Sequence, residues 1–372
     1  MMRVAVIGAG IIGAALADRL AHRGVSVTVV DSGQPGAGTS GTSLAWLNSN
    51  QKLPRHYHDV SVRAMADWRR LAEGFGMPSW YVPTGSLTWA QTDEQCAALG
   101  RRVERLRSWG YPAVELTAGQ AAALEPSLRV PATAHFAYFP AEGFVHGDRA
   151  VQALLAHAQA GGAEVIITGA DVTLETAGAR VAAMRLPDGS PVRADIYVCC
   201  AGWRTSALLG PLGVSVPLIP GDAPGSPAPC LVSTVSGPSS LGRVVHTPGL
   251  NLRPTAEPGL QLESGEINDL VDVHTAPADL DRLGAQLLHR AAEVVTGLPA
   301  GRPRHGLCIR PLPVDGHPVV GRLPALDNAY LAVSHSGMTL APLLGRLIAD
   351  ETADGAEVLD LGPYRPARFL PS

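Results

Sequence analysis

The stretch VAVIGAGIIGAALADRLAHRGVSVTVVD, residues 4–31, decides the fold of this chain. Residues 4–7 are an apolar run suited to a buried parallel strand, and Gly8, Gly10 and Gly13 follow as G-x-G-x-x-G. Residues 14–22 continue as a helix, and 25–30 form a second, β-branched strand ending at Asp31. The first glycine permits a tight turn, the second lets a pyrophosphate approach the backbone, and the third lets helix and strand pack closely. The start of the helix, at Ile11 and Ile12, then turns unpaired N–H groups and the positive end of its dipole toward the phosphates. Asp31, with Ser32 beside it, stands where ribose hydroxyls are received, so an adenosine without a 2′-phosphate is expected. The stretch is a dinucleotide grip. Alone it does not separate NAD from FAD.

A chain of 372 residues is long enough for two domains with real cores. A net charge of −4 lacks the basic footprint of a general nucleic-acid binder. No uncharged run is apolar enough to span a bilayer; the nearest, residues 205–221, is broken by glycines and prolines. The uncharged run 4–17 is not a secretory signal, because Asp18 and Arg19 stand where small cleavage-site residues belong. Five cysteines without C-x-x-C spacing argue against a disulfide framework or a zinc site, so no metal and a cytoplasmic setting are expected.

Along the chain, residues 58–74 show helical spacing, 86–90 alternate as a strand, and 93–109 and 117–124 read as helices. A helix over 148–160, a strand over 163–168, a hairpin around the PDGS turn and a buried strand over 196–200 follow. Residues 212–300 change character to short alternating segments rich in Pro, Ser and Thr, then a helix over 277–295. The last part returns to a strand over 330–333 and a helix over 339–350. If 196–200 and 330–333 join the first sheet, the nucleotide domain is discontinuous. The expected class is α/β: a Rossmann-type domain from residues 1–60, 143–211 and 300–372, with a β-rich α+β substrate domain from 61–142 and 212–299.

Several segments together resemble the D-amino-acid oxidase superfamily, in its glycine oxidase, sarcosine oxidase and D-amino-acid dehydrogenase branch. They are the N-terminal fingerprint, ADIYVCCAGWRTSALL (194–209), GFVHGDRAVQALL, CIRPLPVDGHPVVG (308–321), YLAVSHSGMTLAPLLGRLIADE (330–351) and the closing PYRPARF. The resemblance implies bound FAD rather than NAD. Its adenosine end would lie on the first βαβ unit, with Thr39, Ser40, Thr42, Ser43, Ala201, Gly202 and Trp203 among the contacts. Amides at Gly337, Met338 and Thr339 would face the flavin ring.

The reaction implied is oxidation of an amino acid or secondary amine, by hydride transfer from the carbon beside nitrogen to flavin N5, giving an imine. It needs orientation and an unprotonated amine rather than a nucleophile or metal. The resemblance assigns Arg310 to the substrate carboxylate, which a guanidinium grips bidentately. It assigns Arg55 and His335 to the flavin or substrate, against the readings of a solvated charge and a core histidine. Ser334 replaces a usual glycine, and the arginine of glycine oxidases and the lysine of sarcosine oxidases near the last helix are absent, which weakens glycine and sarcosine as substrates. A sarcosine-oxidase-like lysine near Asn251 is also missing, which favours a dehydrogenase. Cys308 stands seven residues before Asp315, as in relatives with a covalent flavin, while Arg310–Pro311 matches non-covalent members. Both a tether and a buried thiol stay open. Other readings are an unusual tailoring or hydroxy-acid reaction on the same fold, or a flavin-bearing subunit inactive without partners. The expected partner is a small amine, with the protein a monomer or homo-oligomer.

Overall fold

The computed structural model describes residues 1–355 and 357–370. Two compact units emerge: 1–41, 147–221 and 309–372 form one, and 42–146 and 222–308 the other. Residues 42–60, 143–146 and 300–308, expected with the nucleotide domain, thus lie in the second unit, and 212–221 in the first.

The first unit is built on a six-stranded sheet in the order Val319–Arg322, Ala329–Val333, Ile196–Cys199, Arg3–Ile7, Ser26–Asp31, Glu164–Ile167. All neighbours are parallel except the Val319–Arg322 edge. The two late strands do join the N-terminal βαβ unit. Strands buried on both faces read as continuous apolar runs, which is why AVI and YLAV are legible. Helix Ile11–Ala21 packs between helices Gly147–Ala160 and Gly337–Asp354. A Cβ at Gly345 would lie 2.7 Å from the backbone carbon of Ala15, so the close crossing of two helices requires glycine there.

The second unit carries an eight-stranded sheet in the order Arg304–Ile309, Pro229–Ser236, Gly259–Glu263, Leu250–Pro254, Val244–Thr247, Ser86–Ala90, His135–Phe139, Val114–Leu116. The β-rich segment after residue 212 therefore recruits three strands from before the first unit's middle segment. Register divides the faces. Leu87, Val245, Leu252 and Leu262 are successive cross-strand neighbours. They belong to a core with Leu283, Leu287 and Ala291 of helix Pro277–Val294. On the opposite face the row is Thr88, His246, Asn251 and Glu263. Strict alternation normally marks a sheet with one solvated side. Here the polar side is sealed: His246, Arg253, Gln261 and Glu263 are all buried.

Candidate functional site

The first unit holds the residues that can cradle a dinucleotide. Gly8 has φ +108°, and a Cβ there would meet the Cys200 carbonyl oxygen at 2.5 Å. A Cβ at Gly13 would sit 2.0 Å from the Gly8 oxygen. Helix Ile11–Ala21 has as its N-cap Gly10, which has no side chain to cap the first turn. The Ile11 N–H donates to Ser40 Oγ at 3.0 Å, joining the 39–42 turn to this helix start. Asp31 accepts from the Ala9 N–H at 2.6 Å on one oxygen and from the Gly33 N–H at 2.8 Å on the other. Each oxygen keeps a lone pair for a ribose hydroxyl.

A cleft of about 130 Å³ opens beside Asp31, lined by Gly8, Ser32, Val172, Ala201 and Arg204 among others. Arg204, one of its nitrogens donating to both Asp171 oxygens, lies over the Trp203 ring at 5.4 Å. Apolar walls with an acid at the floor suit an adenosine. The turn is tight throughout: a Cβ at Gly147 would meet the Ser40 oxygen and the Met338 methyl. Helix Gly337–Asp354 starts at an N-cap, Ser336, that makes no side-chain capping bond, so Gly337, Met338 and Thr339 form the first turn, at the positive end of the helix dipole. These donors and glycine contacts fit a bound FAD.

Thr39 Oγ1 donates to the Ile309 carbonyl at 2.6 Å. That bond pins the residue preceding Arg310, which is half-buried, to the 39–42 turn. His335 is exposed just beyond strand Ala329–Val333. Thr42 and Ser43 belong to the second unit, where Gln261 Nε2 donates to the Thr42 carbonyl at 2.8 Å. Arg55, at the start of helix Arg55–Gly74, pairs with Asp59 at 2.8 Å and lies over Trp109. Cys308 is buried in a small cluster with Cys230 and Val232.

Two polar groups of the second unit carry no sequence signature. Glu142, completely enclosed, accepts from Trp46 Nε1, the Ser49 and Asn50 N–H groups, Asn50 Nδ2, Ser86 Oγ and Tyr111 OH. Burial still pushes its pKa up against these donors. The second group is a chain along the polar sheet face. Asn268 Oδ1 accepts from the Leu231 N–H at 2.9 Å, so its amide nitrogen faces and donates to Glu263. The Asn251 amide donates to the other Glu263 oxygen, which turns Asn251 Oδ1 toward His246 Nδ1 at 2.7 Å. A carbonyl opposite Nδ1 requires the proton there, leaving Nε2 a bare acceptor. Among the described residues His246 Nε2 has no partner. Burial lowers the His246 pKa to about 4, against the opposing Asn251 bond, so the ring is neutral at pH 7. Trp46 lies against it, ring centroids 4.0 Å apart.

Comparison with known proteins follows the same lines. The family described as FAD dependent oxidoreductase matches residues 3–351. The chain is 28% identical to a glycine oxidase of Geobacillus kaustophilus over 99% of this chain and 97% of that one. Its identity to a glycine oxidase of Pseudomonas aeruginosa is 27%, over 99% of each. The crystal structure of the Geobacillus kaustophilus glycine oxidase superimposes with a TM-score of 0.84 at 25% identity, covering all of both chains. The chain belongs to the FAD-dependent oxidoreductase family. It is a flavoenzyme that binds FAD, and these likenesses support oxidation of an amine or amino acid rather than a subunit without activity of its own. No helix of the described residues is long and apolar enough to cross a membrane.

Proposed function

We propose that this enzyme oxidises the C–N bond of a small amino acid or secondary amine in the cytoplasm, with Arg310 receiving the substrate carboxylate. The observation that carries this reading is the Thr39–Ile309 hydrogen bond, which ties the neighbour of Arg310 to the turn that also caps the dinucleotide helix. A guanidinium there offers two parallel N–H donors to a carboxylate, where a lysine would offer a mobile point charge. Bound FAD supplies the hydride acceptor. The chain's own residues bind, orient and keep the amine uncharged. Asn251 is engaged by its neighbours and no lysine occupies its place, which favours an acceptor other than oxygen.

The test is anaerobic mixing of the FAD-loaded enzyme with D- and L-amino acids and N-methyl amino acids. One class should bleach the flavin band near ~450 nm. Slow recovery on admitting air would support the dehydrogenase reading, and fast recovery an oxidase. No bleaching by any member would refute C–N oxidation of this substrate class.

A further inference from the structure

Away from the cofactor cleft, three metal-ligating side chains of the first unit meet at the far end of the dinucleotide helix. Asp18 and His22 are four residues apart, which puts them on one helix face. His157 comes from helix Gly147–Ala160, packed alongside. His157 Nδ1 lies 2.5 Å and His22 Nδ1 3.5 Å from the same oxygen, Asp18 Oδ1. One donor atom from each residue lies within 4.8 Å of the other two. The carboxylate is buried, while the imidazoles are 42% and 47% exposed. A held anion thus stands behind two rings open to solvent.

The rings are stacked, with centroids 3.9 Å apart and planes 16° from parallel. An imidazole coordinates in its own plane, so parallel rings cannot both aim at one ion. One ring must turn. His22 is the one able to do so, because its Nδ1 is held only by its own helix, through the Asp18 carbonyl at 2.9 Å and the shared carboxylate. Gly161 keeps the adjacent space open, since a Cβ there would already lie 3.3 Å from His22 Cε1. In a tetrahedral site with bonds of ~2.0–2.1 Å the donors stand about 3.3 Å apart, so shifts of roughly 1 Å suffice.

We propose that Asp18, His22 and His157 form a binding site for a divalent metal of the zinc class, with water completing the shell. Two imidazoles and one carboxylate suit Zn²⁺, Ni²⁺ or Cu²⁺, whereas Mg²⁺ and Ca²⁺ take oxygen ligands. The C-terminal end of helix Ile11–Ala21 favours a cation, as its N-terminal end favours phosphate. The metal clamps this helix to helix Gly147–Ala160, so its effect is on the rigidity of the cofactor unit and not on the reaction.

The experiment is calorimetric titration of the tag-free holoenzyme with Zn²⁺, and with Mg²⁺ as control. One Zn²⁺ per chain is expected, with a Tm that rises with Zn²⁺ concentration and an unchanged visible spectrum. His22→Ala and His157→Ala, both at exposed positions, should each weaken binding about tenfold or more and remove the Tm rise. Two results overturn the proposal: no saturable Zn²⁺ binding by the unaltered protein, or undiminished binding by the double variant, which would point to a cysteine instead.

Discussion

Replacing His246 with glutamine should make the enzyme less sensitive to acid. An ordinary imidazole titrates near 6.5, and burial takes His246 to about 4. As pH falls below 6.5 the unfolded chain takes up this proton while the folded chain does not. Stability is therefore complete above about 6.5, is lost down to about 4, and changes no further from this group. Between pH 6.5 and pH 5 the window spans 1.5 units, and at about 1.36 kcal/mol per unit the loss from His246 alone is about 2 kcal/mol. Glutamine does not titrate, and its amide can still donate to Asn251 Oδ1. At pH 7 the variant should be less stable than the parent by an amount typical of a buried polar change, about 0.5–3 kcal/mol. Its further loss between pH 7 and pH 5 should be about 2 kcal/mol smaller. The assay is urea unfolding at both pH values, followed by tryptophan fluorescence, to which Trp46 contributes from against the imidazole. Equal losses for parent and variant would refute the buried neutral imidazole.

Gly8→Ala should abolish FAD retention, since the new methyl meets the Cys200 carbonyl at 2.5 Å in a backbone conformation that alanine resists; Gly24→Ala, also at positive φ but in open space, should keep its flavin and lose only about 1 kcal/mol of stability. Gel filtration with absorbance at the flavin band distinguishes them. Arg310→Met should raise KM with kcat little changed, a loss of about 2–3 kcal/mol or 30- to 150-fold in kcat/KM; an equal fall in kcat with unchanged KM would remove its role as an anchor. Acid precipitation should release the flavin to the supernatant, because the Cys308 sulfur is packed against Cys230 and Val232; yellow pellets that turn colourless only in Cys308→Ser would show a tether.

How much could be read from residue order depended on how local each constraint is. The dinucleotide grip is legible because its parts lie within residues 4–31, where Gly13 answers a contact within the same turn and Gly8 one at the end of the adjoining strand. The helices at 93–108 and 118–124 were legible for the same reason. Thr92 with Gln95, and Thr117 with Gln120, close capping boxes within one turn. The sheet of the second unit was less so. Its middle pairs Val244–Thr247 with Ser86–Ala90, strands far apart in sequence, and nothing in either segment names the other. Alternation in Val244–Thr247, Leu250–Pro254 and Gly259–Glu263 is the pattern of a sheet with one wet face, whereas here Trp46 lies against His246 and that face is buried. That is why Thr88, His246 and Glu263 were passed over: polar residues on an alternating strand are what solvent exposure also produces. Glu142 was invisible for a related reason, as its donors come from three separate segments, 46–50, Ser86 and Tyr111. Asp18, His22 and His157 were hidden by the sequence separation of 139 between Asp18 and His157. The binding chemistry of this chain is thus legible where one turn supplies all the donors, and illegible where the fold must first bring them together.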